Sequence, residues 1–220
     1  EIKLLYISPE RFSSDKFRVR LKEFNPELCV VDEAHCISEW GHDFRPDYLA
    51  LSNIRSEFPN SRIAAFTATA TRSVQQDIQK KLRMNKPFIV RASFDRPELF
   101  YRVSTKEDPF DQILAFVHDR PGKAGIVYRS TRAKVEATSD FLCEHGVNAL
   151  PYHAGLPDKK RRAHQERFVR DEIDVVVATI AFGMGIDKSN VRFVVHGDLP
   201  KSLEAYYQET GRAGRDGLLS

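Results

Sequence analysis

Short apolar runs rich in branched side chains recur along the chain, and stretches with helical spacing lie between them. Runs of this kind predict strands buried in a parallel sheet, whereas apolar residues three or four positions apart predict one face of a helix. In the first half of the chain, strands are predicted at 3–7, 28–31, 63–66 and 88–90. Amphipathic helices are predicted over 46–58 and 74–82.

A polar stretch with a proline at 93–98 interrupts this rhythm and predicts a linker. A second series follows, with strands predicted at 124–128, 149–152, 173–178 and 192–196, and helices around 135–142 and 163–169. Gly146 and Gly211 stand where glycines that end helices are expected. The alternation predicts an α/β protein with two lobes, each a parallel sheet covered by helices, and a cleft where ligands gather at strand carboxyl ends. The expected domains are 1–92, a linker at 93–103, and 104–220.

Composition narrows the class of protein. Of the 220 residues, 41% are hydrophobic and 30% are charged, which is typical of a globular chain rather than a disordered one. No apolar run approaches the roughly 18 residues that a membrane helix needs, so we expect no membrane partner and a cytoplasmic location, at the nucleoid in a bacterium. The three scattered cysteines indicate neither a disulfide framework nor a zinc site. A net charge of +3 permits a polyanionic partner without favouring one.

The strongest local signal is a predicted strand that ends in two adjacent carboxylates and an imidazole, those of Asp32, Glu33 and His35. A carboxylate at a strand tip can hold the water shell of a Mg²⁺ bound to nucleotide phosphates, and its neighbour can orient or deprotonate the attacking water. Asp32 and Glu33 are the candidates for these roles. The alternative is a pair of acidic side chains that simply face solvent.

Two other segments contain residues suited to a phosphate site. Thr67 and Thr69 follow another predicted strand of the first lobe and could sense the state of the site, although such a pair also serves as a helix cap. Arg212 and Arg215 lie in a glycine-rich stretch at 208–217, where either could stabilise charge on a transferred phosphoryl group. A surface turn with solvated arginines is the alternative for this stretch.

Two loops could approach a nucleotide or nucleic acid. In the first, Gly183 and Gly185 permit close backbone approach and Asp187 could hydrogen-bond a ribose, but helix–sheet packing explains the glycines equally well. The second, at 38–46, is rich in aromatic rings and has the composition of a platform on which bases stack. For Phe44 in this loop, anchoring to the core remains an alternative.

In this order, the segments closely resemble the catalytic core of RecQ-family DNA helicases, within helicase superfamily 2. The resemblance runs through residues 4–11, 32–48, 67–70, 93–97, 152–156, 177–187 and 206–217. It implies two RecA-like lobes and an ATP-dependent 3′-to-5′ DNA helicase motor. Such a motor couples ATP hydrolysis with Mg²⁺ to translocation on single-stranded DNA, and unwinds forked duplexes in DNA repair and recombination.

The resemblance also implies a role for each matching residue. Glu33, Arg212 and Arg215 match catalytic residues, with Arg215 favoured as the arginine finger, and Asp32 matches the Mg²⁺ ligand. The residues that match positions for ATP binding and coupling are His35, Thr67, Thr69, Gly185, Asp187 and Gln208. The residues that match DNA contacts are Ser8, Arg11, Trp40, His42, Phe44, Arg45 and Thr179.

The sequence departs from the family pattern in one main respect. It contains no glycine-rich phosphate loop ending in Lys and Ser or Thr, since Gly122 and Lys123 precede Ala124 and Val117 stands where the first glycine should be. We therefore expect a first lobe truncated on its amino-terminal side, a second lobe that lacks its last strand, and no ATP hydrolysis by the chain alone. A non-enzymatic fragment that binds nucleic acid is the alternative. An RNA helicase of the same superfamily would share residues 32–35, but the aromatic-rich loop argues against it.

Overall fold

The computed structural model describes residues 3–41, 43–93, 95–183 and 187–220. The chain divides into two compact units, Glu1–Ala92 and Ser93–Ser220. Both units are α/β with parallel strands and packed helices, as the sequence predicts. Within the described ranges, no helix is long and apolar enough to cross a membrane.

The first unit contains a pair of parallel strands, β1 (Leu28–Val31) and β2 (Arg62–Ala65). Its helices in chain order are α1 (Pro9–Phe12), α2 (Asp15–Glu23), α3 (Ile54–Glu57) and α4 (Arg72–Lys81). Two 3₁₀ helices, Ala34–Ile37 and Pro46–Asn53, lie between β1 and α3. The predicted strands at 28–31 and 63–66 therefore correspond to β1 and β2.

Helix α4 shows how the sequence builds the core of the first unit. Val74 and Ile78 are buried at helical spacing, and Leu82 directly after the helix is fully buried. The Thr71 side chain caps the helix by accepting a hydrogen bond from the Val74 amide. The apolar stripe and its cap together orient α4 against the sheet.

Two predicted strands of the first unit are wrong. Residues 3–7 and 88–90 form no strand, and their apolar side chains are largely exposed, Tyr6 at 87% and Phe88 at 93%. A strand requires a neighbour for its backbone hydrogen bonds, and among the described residues the sheet of this unit consists of β1 and β2. The helix predicted over 46–58 also differs, because it is a 3₁₀ helix that becomes α-helical only at Ile54.

The second unit contains a parallel sheet in the strand order β4-β5-β3-β6. The strands are β3 (Gly125–Tyr128), β4 (Ala149–Tyr152), β5 (Val175–Ala178) and β6 (Phe193–His196). The helices are α5 (Pro109–His118), α6 (Arg132–Glu144), α7 (Asp158–Val169) and α8 (Leu203–Thr210). All the strands and helices predicted for this unit are present, and the helical stretch expected before Gly211 is α8, whereas α5 was not predicted.

Helices cover both faces of this sheet. Along β3, Val127 packs in one cluster with Ile113 of α5 and Leu142 of α6, whereas Ile126 packs in another with Phe168 of α7. Strands β3 and β5 are buried along their whole length. This two-sided burial explains why their sequences are continuous apolar runs instead of alternating ones.

The two predicted helix-ending glycines end their helices by different means. Gly146 follows α6 with φ +81°, a left-handed value that favours glycine. Gly211 directly follows α8 with an ordinary helical φ of −62°. Glycine suits that position because a Cβ there would lie 2.8 Å from the carbonyl oxygen of Tyr207.

The segment predicted as a linker, 93–103, makes contacts inside the second unit. The Phe100 amide donates to the Ser220 carbonyl at 2.9 Å. The Arg96 guanidinium donates to two backbone carbonyls of the stretch 208–217, at 3.3 and 3.2 Å. This segment thus supports the arginine-containing stretch 208–217. The domain limits 1–92, 93–103 and 104–220 remain a prediction.

Candidate functional site

The two carboxylates at the end of β1 lie on a tight turn. Glu33 adopts a left-handed conformation, φ 47° and ψ 42°, which is uncommon for a residue with a side chain. The Asp32 Oδ1 atom accepts a hydrogen bond from the Glu33 amide at 2.8 Å and so supports this turn. The turn leaves both carboxylates exposed to solvent, where they are accessible to a ligand.

His35 connects this turn to the segment that follows β2. Its ring is buried, and Nδ1 lies 2.9 Å from the Thr67 Oγ1 atom and 3.3 Å from a carboxylate oxygen of Glu33. The Thr67 hydroxyl donates to the Thr69 carbonyl at 3.1 Å, so it accepts from His35, and Nδ1 carries the proton. The structure therefore brings together Glu33, His35 and Thr67, which the sequence places on two separate strand ends.

The sheet register explains why these residues meet. Beyond the paired strands, the Phe66 amide donates to the Val31 carbonyl at 2.8 Å, and the Ala34 amide donates to the Phe66 carbonyl at 2.8 Å. The two chain segments therefore leave the sheet side by side, as expected at the carboxyl edge of parallel strands. Thr69 is also buried at this edge, and its hydroxyl has no hydrogen-bond partner in the described residues.

The aromatic-rich loop is attached to the His35 turn through its backbone. The Arg45 amide donates to the Cys36 carbonyl at 3.0 Å. A Cβ on Gly41 would lie only 2.6 Å from the His35 carbonyl oxygen, so glycine permits the loop to pack against this turn. A displacement of the loop would therefore be transmitted to the turn that contains Glu33 and His35.

The side chains of this loop differ in how available they are to a ligand. Trp40 is 80% exposed, which is unusual because tryptophan side chains are on average largely buried in folded proteins. Phe44 is half-buried, with the Lys81 ammonium 5.9 Å from its ring centre. Arg45 forms two hydrogen bonds with the Asp43 carboxylate, at 3.1 and 2.7 Å. His42 lies outside the described residues.

Three potential metal donors, on the buried His35 and Cys36 and on the exposed Asp43 of this loop, lie within 4.8 Å of one another. Burial, together with the nearby Asp43 carboxylate, raises the pKa of the Cys36 thiol to about 12. The thiol donates a hydrogen bond to the Asp43 carboxylate at 3.7 Å, so these two side chains are partners of each other.

The predicted DNA contacts at the start of the chain lie on α1. Ser8 directly precedes the helix and is exposed, and its carbonyl accepts hydrogen bonds from the Arg11 and Phe12 amides at 3.1 and 3.2 Å. The Arg11 guanidinium lies 5.3 Å from the ring centre of Phe17. Both side chains are accessible on the surface of the first unit.

In the second unit, Arg212 is anchored to the turn after β5. Its guanidinium donates to the Gly183 carbonyl, and a Cβ on Gly183 would lie 2.3 Å from an Arg212 nitrogen. Thr179 begins this turn, and its amide donates to the Tyr152 carbonyl at 3.1 Å. Gly185, predicted to bind the cofactor, lies outside the described residues.

Arg215 is more accessible than Arg212. It lines an open cavity of about 620 Å³ in the second unit, together with Arg96, Glu98, Asp187, Ser189 and several glycines. A guanidinium nitrogen of Arg215 lies 3.9 Å from the carboxylate of Asp187, which is almost fully exposed. The cavity lining therefore combines two guanidinium groups with two carboxylates, and each arginine is paired, Arg96 with Glu98 and Arg215 with Asp187. The remaining predicted cofactor residue, Gln208, is half-buried on α8.

Two charged groups in the second unit were not predicted from the sequence. Glu209 is buried on α8 and hydrogen-bonds the ring of His196 at 2.6 Å. Asp198, two residues beyond β6, accepts hydrogen bonds from Lys106 at 2.9 Å and from Lys134 at 3.0 Å. Although burial opposes it, hydrogen bonds from the Ser130 amide and these lysines hold the pKa of Asp198 well below its usual value. Asp198 could have been identified from the sequence, because its carboxylate lies just beyond a predicted strand, as does the carboxylate of Asp32.

Comparison with family models gives two matches. Residues 1–78 match the DEAD/DEAH box helicase family, and residues 105–217 match the helicase conserved C-terminal domain. Among solved structures, S. cerevisiae Dbp5 bound to RNA and ADP BeF3 covers 88% of this chain with a TM-score of 0.69. The identity is 20%, and the chain spans 51% of that protein, so this likeness supports the fold alone.

Curated relatives match nearly the whole chain at higher identity. The ATP-dependent DNA helicase RecQ of Pasteurella multocida is 51% identical over 99% of this chain, and that of Bacillus subtilis is 48% identical over 99%. The RecQ-like DNA helicase BLM of Xenopus laevis is 44% identical over the full chain. The chain spans 34%, 37% and 17% of these proteins, respectively. From the two family matches and these identities, we conclude that the chain belongs to the RecQ family of superfamily 2 helicases and contains part of their catalytic core.

Proposed function

We propose that this chain is part of an ATP-dependent DNA helicase that moves 3′ to 5′ on single-stranded DNA and unwinds forked duplexes in repair and recombination. The observation that carries the proposal is the grouping of Glu33, His35 and Thr67 beside the aromatic-rich loop, in which His35 is hydrogen-bonded to Thr67 and lies 3.3 Å from the Glu33 carboxylate. It joins a candidate hydrolytic carboxylate to a candidate DNA-binding loop within one unit. Family membership supports the same activity, since the relatives are named ATP-dependent DNA helicases.

Asp32 and Glu33 receive different roles in this proposal. Asp32 uses one carboxylate oxygen for the Glu33 amide, and its oxygen donors on an exposed turn fit the hard ligands that Mg²⁺ prefers. When bound, Mg²⁺ would neutralise charge on the nucleotide phosphates. Glu33 orients the attacking water and accepts its proton. His35 holds the Glu33 carboxylate in place through its Nδ1 proton, and Thr67 and Thr69 complete the coupling element.

In the second unit, we assign Arg215 to the charge that develops on the transferred phosphoryl group. Its exposure at an open cavity supports this choice over Arg212, whose guanidinium is engaged with the Gly183 carbonyl. Arg212 then positions the turn that begins at Thr179, and Asp187 with Gln208 and Gly185 contributes to nucleotide binding. ATP is the proposed cofactor, together with Mg²⁺.

Single-stranded DNA is the proposed partner of the aromatic-rich loop. The exposed Trp40 ring offers a face on which a base can stack, with His42 and Phe44 beside it in sequence. Arg45 would exchange its Asp43 partner for a phosphate, and Ser8, Arg11 and Thr179 contact the DNA backbone. Because the loop packs on the His35 turn, DNA binding at Trp40 would reorient Glu33 and stimulate hydrolysis.

The test uses a chimera in which these residues replace the matching segment of the Pasteurella multocida relative. Glu33→Gln should abolish DNA-stimulated ATPase while ATP binding persists, because it removes the proton acceptor and leaves the phosphate contacts unchanged. Trp40→Ala should reduce stimulation by single-stranded DNA more than basal hydrolysis. An inactive unmodified chimera, or unchanged turnover in Glu33→Gln, would contradict the proposal. We also propose that the chain alone hydrolyses no ATP, because its sequence lacks a phosphate loop.

A further inference from the structure

Segment 93–97 resembles the RecQ pattern, but the proposed function assigns no role to its residues. The segment directly follows the first unit in the chain and belongs to the second unit. Within it, Arg96 is half-buried, and its guanidinium forms an ion pair with the carboxylate of Glu98. We call these two side chains the Arg96–Glu98 pair.

The guanidinium of Arg96 also holds the backbone directly before Arg215. It donates to the carbonyls of Ala213 and Gly214 at 3.3 and 3.2 Å, which lie 117 and 118 positions further along the chain. Both of these residues are buried, whereas Arg215 is exposed. A guanidinium is planar and presents several N–H donors in fixed directions, so one group can serve a carboxylate and two carbonyls at once. The contact therefore fixes the backbone from which the Arg215 side chain extends.

Gly214 is enclosed by the same segment. Its φ of +63° lies in the left-handed region that favours glycine, and a Cβ there would lie 3.1 Å from Glu98 Cγ and 3.1 Å from Leu99 Cδ2. On another side, the Gly214 amide donates to the Val191 carbonyl at 3.0 Å. The turn before Arg215 is thus held between the residues just before β6 and the Arg96–Glu98 pair.

Arg96 lines the same cavity as Arg215, but its guanidinium is engaged with groups of this unit. The hydrogen bond from Arg96 lowers the pKa of the Glu98 carboxyl, so this carboxylate stays ionised and remains its partner at neutral pH. The contact of Arg215 with the Asp187 carboxylate is longer, at 3.9 Å. The geometry therefore suits Arg96 for support of Arg215 rather than for direct contact with a phosphate.

We propose that Arg96 is a positioning residue for Arg215, which it holds at the cavity through the Ala213 and Gly214 carbonyls while Glu98 orients its guanidinium. The inference rests on the proposed function, because it requires Arg215 to stabilise charge on the transferred phosphoryl group. Loss of an arginine finger costs about 10³ to 10⁵ in rate, whereas a misplacement of about 1 Å costs on the order of 10². Loss of Arg96 should therefore slow hydrolysis less than loss of Arg215.

The test measures ATP hydrolysis at saturating oligothymidylate in the chimera with the Pasteurella multocida relative. Arg215→Ala should lower kcat by about 10³-fold or more. Arg96→Gln should lower kcat by roughly 10- to 100-fold and leave KM for ATP unchanged, because the lost contact acts only in the transition state. Added to Arg215→Ala, Arg96→Gln should cause no further loss, because the side chain that it positions is gone.

Two further variants serve as controls. Arg120 is also half-buried and donates to a backbone carbonyl, that of Phe116 at 2.9 Å, so Arg120→Gln should leave kcat unchanged. Arg96→Lys keeps the charge but loses the planar fork of donors. It should give a smaller loss than Arg96→Gln, and this loss should also disappear when Arg215 is replaced.

Hydrogen exchange in the 220-residue chain separates a local effect from a loss of the fold. The Gly217 amide donates to the Gly214 carbonyl at 2.9 Å, and the Gly125 amide in the sheet donates to the Asp174 carbonyl at 2.8 Å. Arg96→Gln should accelerate exchange at Gly217 and leave exchange at Gly125 unchanged. If both accelerated, the loss of rate would reflect unfolding, and Arg96→Lys would take the place of Arg96→Gln in the kinetic comparison.

Three results would overturn the positioning role. Unchanged kcat in Arg96→Gln, or an equal fold loss with and without the Arg215 side chain, would show that Arg96 does not act through Arg215. A raised KM with unchanged kcat would instead indicate that Arg96 contacts bound ATP. In each of these cases, a slow Arg215→Ala would leave the proposed function standing. If Arg215→Ala turned over normally, the role of Arg215 in the proposed function and the positioning role would fail together.

Discussion

Thr67→Val is the sharpest test of the group that links the two strand ends. The Thr67 hydroxyl contacts the His35 ring at 2.9 Å, the Thr69 carbonyl at 3.1 Å and the Thr69 amide at 3.3 Å. Valine has the same shape but cannot make these hydrogen bonds. Because the buried imidazole N–H would lose its 2.9 Å acceptor, we expect a loss of about 1–3 kcal/mol in the free energy of unfolding.

Thr69→Val provides a matched control two residues away. The Thr69 hydroxyl is buried and has no partner within the described residues, so its replacement by a methyl group should be neutral or slightly stabilising. Urea unfolding of the 220-residue chain, followed through hydrogen exchange at the Ala34 and Phe66 amides of the first unit, measures both variants. If Thr67→Val were neutral, or if both variants were equally destabilising, the hydrogen-bond assignment would be refuted.

Two other predictions concern Asp198 and Gly41. The lowered pKa of Asp198 stabilises the folded second unit at pH values above 3.8, the value for the unfolded chain, and this contribution is lost as pH falls below about 4. Asp198→Asn should remove that pH dependence and cost on the order of 3 kcal/mol in the free energy of unfolding at neutral pH. Urea unfolding at several pH values measures both effects. A wild-type-like acid limb in the variant would contradict this. Gly41→Ala should destabilise the aromatic-rich loop by roughly 1–3 kcal/mol, because the alanine Cβ would contact the His35 carbonyl oxygen. Hydrogen exchange at the Arg45 amide should accelerate as a result. Unchanged exchange would exclude the close packing.

In the proposed cycle, DNA binds at the exposed Trp40 ring and affects the neighbouring turn that contains Glu33 and His35. Trp40 is joined to the His35 turn by a few backbone contacts within one loop. A ligand that stacks on Trp40 would therefore shift the turn only if it bound a shifted conformation of the loop more tightly than the present one. Comparison of DNA affinity with and without nucleotide would measure that coupling, which must be reciprocal.

Local pattern in the sequence determined much of this protein. Continuous apolar runs identified β3 and β5, because strands buried on both faces have no polar positions, and four-residue spacing identified α4. The carboxylates after β1 could be recognised because chemistry collects at strand carboxyl ends. The same local reasoning was wrong for 3–7 and 88–90, since an apolar run does not reveal whether a neighbouring strand exists to pair with it.

Only the tertiary structure decided which atoms meet. The bond between His35 and Thr67 joins residues 32 positions apart and depends on the register of β1 against β2. The contact of Arg212 with Gly183 likewise spans 29 positions, and it distinguishes an anchored arginine from the more accessible Arg215. Sequence spacing specifies which face of an element a side chain occupies, but a hydrogen bond requires distances that arise only when the elements pack.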